Sequence, residues 1–330
     1  MDAPLTTPIT TPITPPTILL TGRWDRNERD DWHRALAERL PGTRWVLDAP
    51  ATPDEAARID IAIVANPAPE VLRGLPRLRL VQSLWAGVEK LLADDSIPPD
   101  LPIARMVDPA MNAAMAETAL WAVLMLHRGF HRYAQAQREG RWAPHPQRRS
   151  DEVRVAVLGL GQMGRTTALR LKAQGYDVTG WGATPRGADP DGLATVAGAD
   201  ALPALLGRSE IVVNLLPLTP ATRGLVDARF LAALPRGAAL VNLARGAHVV
   251  EADLLAALAS GQIGHAVLDV YATEPLPAAH PFWSHPGVTM LPHAAAMTDL
   301  RSAADVAVAN VRAALAGQPL QHRVDRSRGY

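Results

Sequence analysis

Hydrophobic positions along this chain follow two alternating rhythms. Short aliphatic runs at Ile18-Leu19-Leu20, Thr43 to Leu47, Ile59 to Ala65 and Leu78 to Leu84 have the length and β-branching of strands. Between them, Glu28 to Leu40 and Val88 to Ala93 repeat at helical spacing. A long, largely apolar stretch between Asp108 and Trp142 predicts helix, buried between domains or subunits because most of its faces are apolar. The strand rhythm then resumes at Val153 to Val157, Tyr176 to Trp181, Ile211 to Leu216, Ala238 to Leu243, His265 to Val270 and Val288 to Leu291. Helical runs separate these, including Met163 to Ala173 and Glu251 to Leu258, and a helix over Ala294 to Ala316 carries the chain back towards the first part. Such alternation implies parallel sheets covered by helices.

One junction carries more than packing. The strand Val153 to Val157 runs into Gly159-Leu160-Gly161-Gln162-Met163-Gly164, and a helix follows. A lone G-x-G-x-x-G is weak evidence, but strand, glycine turn and helix in one unit form the dinucleotide fingerprint. Gly159 permits the tight turn, Gly161 the approach of a pyrophosphate, and Gly164 close packing of helix on strand. The N–H groups of Gln162 and Met163 face an anion at a helix N-terminus. The expected architecture is therefore α/β, with two doubly wound parallel-sheet domains. Residues 109–294 form a Rossmann-type cofactor domain; 17–108 with 295–330 form a smaller, flavodoxin-like, discontinuous substrate domain.

Composition narrows the classes. With 33 basic and 33 acidic residues the net charge is zero, which offers no electrostatic footprint for nucleic acid or an anionic membrane. There is no cysteine, so disulfides, thiolate metal sites and a cysteine nucleophile are excluded. Residues 1–16 are a Pro/Thr tract with no basic start and no apolar core, expected to be a disordered extension rather than a secretory signal. No run reaches about 18 uninterrupted apolar residues, so no membrane span and a cytoplasmic location are expected.

In doubly wound sheets ligands sit beyond the C-terminal ends of the strands. Three such ends carry candidate chemistry: Arg245 after Asn242-Leu-Ala, Asp269 and Glu274 after the next strand, and His293 after Leu291-Pro292. A guanidinium suits two-point binding of a carboxylate. A histidine beside a carboxylate suits proton transfer. His280, His285 and His293 have proline-interrupted spacing without a carboxylate cluster, so no metal site is expected.

In this order and behind this fingerprint, these residues resemble the D-2-hydroxyacid dehydrogenase family, in its bacterial glyoxylate/hydroxypyruvate reductase subgroup. Ser83-Leu-Trp-Ala-Gly-Val-Glu89, Asn214-Leu-Leu-Pro-Leu-Thr219, Ala221 to Val226 and the closing Val324-Asp-Arg-Ser-Arg-Gly-Tyr330 support the resemblance, which covers nearly everything from Thr17 onward. It implies hydride transfer between a nicotinamide and C2 of a small 2-oxo acid. Arg245 holds the substrate's carboxylate and carbonyl oxygen, His293 delivers the proton and Glu274 keeps His293 protonated and oriented. It also implies that Trp85, Ala86, Gly87 and Val88 offer backbone N–H groups to the carboxylate, that Asp269 faces the nicotinamide carboxamide, and that Leu215, Leu216 and Pro217 flank the adenosine. A homodimer is the expected assembly.

The acidic residue that normally binds the ribose hydroxyls falls here at Gly182, with Thr184 and Arg186 nearby. Nothing there repels a 2′-phosphate, so NADPH is expected to be preferred, with NADH also accepted. Two other functions resemble the same family. In formate dehydrogenase the position of Glu274 is expected to be Gln, because hydride leaving formate needs no proton exchange. A nucleotide-sensing corepressor-like protein keeps Arg, Glu and His, but no peptide-docking extension is visible here.

Overall fold

A computed structural model describes residues 15–185 and 187–330. Most of the Pro/Thr tract expected at 1–16, and Arg186, therefore lie outside the described residues. The chain divides into two compact units. One runs to Met106 and takes in Ala303–Val324; the other comprises Val107–Ser302 and Asp325–Tyr330. The boundaries differ from the expected ones at each crossing, and the last six residues group with the second unit rather than the first.

In the first unit β1 (Thr17–Gly22), β2 (Arg44–Leu47), β3 (Ile59–Ala65), β4 (Leu80–Ser83) and β5 (Ile103–Ala104) form one parallel sheet in the order β2-β1-β3-β4-β5. That is the flavodoxin-like order. The two-residue β5 has no periodicity to announce it and is found only by its pairing with β4. Helix α1 (Arg26–Arg39) starts where Asp25 accepts the Glu28 N–H at 2.9 Å, and it buries Trp32 and Leu36. The short α2 (Pro53–Ala56) and α3 (Glu89–Leu92) follow β2 and β4. Asp60, buried at the start of β3, accepts the Thr17 N–H and pairs with Arg77, so its charge is compensated.

The second unit opens with α4 (Pro109–His127). Buried Asp108 caps it by accepting from Ala110 N at 3.1 Å, and Pro109 takes the first position, where no N–H is needed. Gly129, at φ 65°, ends this helix and begins α5 (Phe130–Arg138), so the long helical stretch is two helices. Helix α4 is long and apolar enough to cross a membrane by length and composition, yet Met115, Ala119, Ala122, Val123 and Met125 pack in the protein core with Val155, Val157 and Val213.

There follow β6 (Arg154–Leu158), α6 (Gln162–Ala173), β7 (Asp177–Gly182), β8 (Ala194–Ala197), α7 (Ala201–Leu206), β9 (Ile211–Asn214) and α8 (Ala228–Ala232). The unit closes with β10 (Ala238–Asn242), α9 (Glu251–Ala259), β11 (Ile263–Leu268), β12 (Val288–Met290) and the start of α10 (Leu300–Leu315). The sheet order is β12-β11-β10-β9-β6-β7-β8, all parallel, with the switch point between β6 and β9. Edge strand β8 is partly exposed and was not expected from the sequence, where its Ala-Thr-Val-Ala is too weakly apolar to stand out. Helix α10 begins at Leu300, not Ala294; the Ala294 and Ala295 N–H groups lie in the preceding turn and donate to the Asp269 carboxylate.

Candidate active site

Register places the strand ends in one row: Leu158 pairs with Asn214, Asn214 with Asn242, Asn242 with Leu268 and Leu268 with Met290. Every loop that leaves this row therefore emerges along the same edge of the second unit.

At the switch point Gly159 turns the chain at φ 92°, where a side chain would be strained and its Cβ would stand 2.6 Å from Leu215 O. A Cβ on Gly164 would lie 1.7 Å from Gly159 O, so only glycine lets α6 sit this close to the turn. A Cβ on Gly161 would meet nothing within 4 Å among the described residues. The first intrahelical bond runs from Arg165 N to Gly161 O, which leaves the N–H groups of Gln162 and Met163 in the unsatisfied first turn. Open space in front of a helix N-terminus fits the pyrophosphate of a dinucleotide.

Strand β7 ends at Gly182, which brings no side chain to that strand end. Thr184 is exposed just beyond, and Arg186 lies outside the described residues. The nearby acidic groups Asp189 and Asp191 are both paired with Arg165, and that hydrogen bond holds the Asp189 carboxyl below its usual range. Leu215, Leu216 and Pro217 follow β9 directly, with Leu216 buried and its N–H bonded to Asn214 Oδ1 at 3.2 Å.

Arg245 leaves β10 half-buried, with Nη1 donating to Ala244 O at 2.7 Å. His293 and Glu274 meet at 2.7 Å between Nδ1 and Oε2, while Glu274 Oε1 accepts the Tyr271 N–H at 2.9 Å. A carboxylate anchored at one oxygen presents the other to the ring and fixes which nitrogen it holds. The pair leaves Nε2 as the nitrogen that Glu274 does not use.

Asp269 is buried, 2% exposed; its Oδ1 accepts the Ala294 N–H at 2.7 Å and the Ala295 N–H at 3.2 Å, and its Oδ2 accepts the Ala295 N–H at 3.1 Å. Burial pushes its carboxyl above the usual range, against the pull of those two N–H groups. Its carbonyl also receives the His293 N–H at 2.8 Å. Asp269 thus holds the turn that carries His293. The other two histidines have structural partners. His280 Nδ1 receives the Phe282 N–H and His285 Nδ1 the Gly287 N–H.

Two residues that support the site were not singled out in the sequence. Asn214 and Asn242, both fully buried, are joined by Asn214 Nδ2 donating to Asn242 Oδ1 at 3.0 Å. Asn242 Oδ1 also accepts Ala244 N, and its Nδ2 donates to Arg245 O at 3.1 Å. Their signal was available: an asparagine closing each of two otherwise apolar strands.

In the first unit, the Trp85 N–H is taken by Ser83 Oγ at 3.0 Å, so Trp85 does not offer its backbone donor as expected. Ala86 and Gly87 are partly exposed after β4, and Val88 is buried.

Residues 120–295 match the model of the D-isomer specific 2-hydroxyacid dehydrogenase, NAD binding domain. The chain belongs to the D-isomer specific 2-hydroxyacid dehydrogenase family. It is 39% identical over 309 residues to glyoxylate/hydroxypyruvate reductase A of Serratia proteamaculans, covering 91% of this chain and 96% of that one. Among solved structures it is similar to a D-isomer specific 2-hydroxyacid dehydrogenase from Xanthobacter autotrophicus Py2 in complex with NADPH and MES. There the TM-score is 0.89 at 42% identity, over 96% of this chain and 100% of that one. An NADPH-dependent glyoxylate/hydroxypyruvate reductase from Sinorhizobium meliloti, in complex with NADP and sulfate, gives a TM-score of 0.86 at 33% identity, over 96% and 100%.

Proposed function

We propose that this protein reduces a small 2-oxo acid, glyoxylate or hydroxypyruvate, to the 2-hydroxy acid, with NADPH preferred over NADH. The observation that carries the reading is the His293–Glu274 contact at 2.7 Å on the strand-end edge that also bears Arg245 and the glycine turn. A nicotinamide bound along that edge supplies the hydride.

The protein's own groups do the rest. Arg245 binds the carboxylate and carbonyl oxygen of the oxo acid in two-point fashion and draws charge onto that oxygen. His293, with Nδ1 held by Glu274, gives the proton on Nε2 to the same oxygen as it becomes an alkoxide, a general-acid step. Glu274 orients the ring. The first unit, with Ala86, Gly87 and Val88 after β4, takes the role of substrate domain.

Support for NADPH lies in Gly182, which removes the carboxylate that repels a 2′-phosphate, and in Thr184 as a donor beside it. The relatives whose solved structures hold NADPH or NADP point the same way. The reading includes a cytoplasmic location and a homodimer, the latter supported by the exposed aromatic rings of Trp121 and Phe130 along α4 and α5.

The test is a panel of small 2-oxo acids assayed with NADPH and NADH by loss of the reduced-nicotinamide absorbance. Turnover of glyoxylate or hydroxypyruvate, faster with NADPH, is expected. No turnover of any 2-oxo acid, despite cofactor binding, overturns the reading.

A further inference from the structure

His248 is fully buried on the short turn Gly246–His248 that follows Arg245. Its ring spans two loops. Nδ1 lies 3.1 Å from Arg245 O, and Nε2 lies 3.2 Å from Pro217 O. Both partners are carbonyl oxygens, which only accept, so the ring can serve them only as a donor. A neutral ring donates to one of them and an imidazolium to both.

The two carbonyls belong to the two loops that the proposed reaction must keep in register. Arg245 binds the oxo acid; Leu215 to Pro217 flank the adenosine side of the cofactor. These loops are already tied at their strand ends by the Asn214–Asn242 bond and by Asn242 Nδ2 on Arg245 O. Beyond the strands they are tied again by main-chain bonds from Gly224 N to Ala247 O and from Val226 N to His248 O, each at 2.9 Å. His248 is the side chain that closes this frame from the far side, and Thr222 Oγ1 donates to the same Pro217 carbonyl at 2.7 Å.

We infer that His248 is a positioning residue that fixes the substrate-binding arginine against the cofactor-flanking loop. The inference rests on the activity proposed above. A hydrophobic residue would fill the space but offer no donor to either carbonyl oxygen. Loosening Arg245 by a fraction of an ångström matters because reaction rate depends steeply on the alignment of the reacting groups.

The test separates the two ends of the ring. An asparagine amide places its donor near the position of Nδ1, and a glutamine amide near that of Nε2. His248→Asn should keep the bond to Arg245 and lose the one to Pro217. Its KM for NADPH should rise about three- to tenfold, with the KM for the oxo acid near that of the wild type. His248→Gln should do the reverse, with kcat/KM for the oxo acid down about ten- to hundredfold and the cofactor KM little changed. His248→Phe should show both losses; if it does not fold, the asparagine and glutamine variants carry the test alone. A filler role would move both substrates in parallel, in step with the fall in Tm. Parallel losses in the two amide variants, or no loss in either, overturn the assignment of His248. A wild type that reduces no 2-oxo acid overturns instead the activity on which it rests.

Discussion

Glu274 stands 2.7 Å from His293, 19 positions away in sequence, and holds its ring from Nδ1 while its own second oxygen is anchored on the Tyr271 N–H. The pair is thereby set from both sides: the Tyr271 backbone orients the carboxylate, and the Asp269 carbonyl fixes the main chain of His293. Exchanging His293 for Ala should lower kcat for 2-oxo acid reduction by about 10²–10⁴-fold, the span of general-acid catalysis. Cofactor Kd, followed by fluorescence of the bound nicotinamide, should remain near that of the wild type. Retained turnover would place the proton donor elsewhere.

Arg245→Lys keeps a positive charge but loses the planar fork. Two charge-assisted hydrogen bonds at about 1.5–3 kcal/mol each predict a fall in kcat/KM for the oxo acid of at least about 100-fold. Titrating NADPH into the variant should show unchanged affinity, since the glycine turn and the Leu215 to Pro217 loop are untouched. An oxo-acid kcat/KM within about threefold of the wild type would remove Arg245 from the substrate site.

The glycine turn offers a contrast between neighbours. A methyl group on Gly161 meets nothing within 4 Å among the described residues, whereas one on Gly164 meets Gly159 O at 1.7 Å. Gly161→Ala should therefore leave Tm unchanged and weaken NADPH at least about tenfold, because the methyl occupies the path of the pyrophosphate. Gly164→Ala should lower Tm itself, as overpacking against backbone costs about 1–3 kcal/mol or more. Equal effects of the two on Tm would contradict this division.

Gly182 sets the cofactor prediction. Among the described residues a Cβ there would find only Thr184 O, at an ordinary 3.7 Å, so a side chain can be accommodated. Gly182→Asp should accept the ribose hydroxyls and repel a 2′-phosphate, reducing the NADPH/NADH ratio of kcat/KM by at least about tenfold. A ratio that does not move would show that selection is made by other residues.

Acid stability should depend on His265. Burial, reinforced by His131, His285 and Arg132, depresses its ring to about 3. His131, whose ring centroid lies 4.2 Å away, is lowered too, chiefly by burial. An unfolded histidine titrates near about 6.5, so between that pH and about 3 the unfolded chain binds the extra proton and the folded one does not. This contribution is fully present above the unfolded value and is lost as pH falls through the window. Urea midpoints measured from pH 7 to 4 should decline less steeply in His265→Gln than in the wild type. Identical slopes would contradict the shift.

The sequence by itself determined the α/β rhythm, the glycine turn and the strand-end positions of Arg245, Glu274 and His293. Each is written in local periodicity or in a residue type that only one backbone geometry tolerates. Tertiary structure decided what local pattern does not encode. The weak edge strands β5 and β8 exist through pairing with a neighbour rather than through their own composition. Helix α10 starts six residues later than its pattern suggests, after a turn whose Ala294 and Ala295 N–H groups donate to the buried Asp269 carboxylate. Asn214, Asn242 and His248 read singly as polar residues at strand ends or in a turn. Only the parallel register of β9 and β10 brings Asn214 onto Asn242 and His248 onto the carbonyl of Pro217, since hydrogen bonds over 28 or 31 positions depend on where strands lie and not on what precedes them.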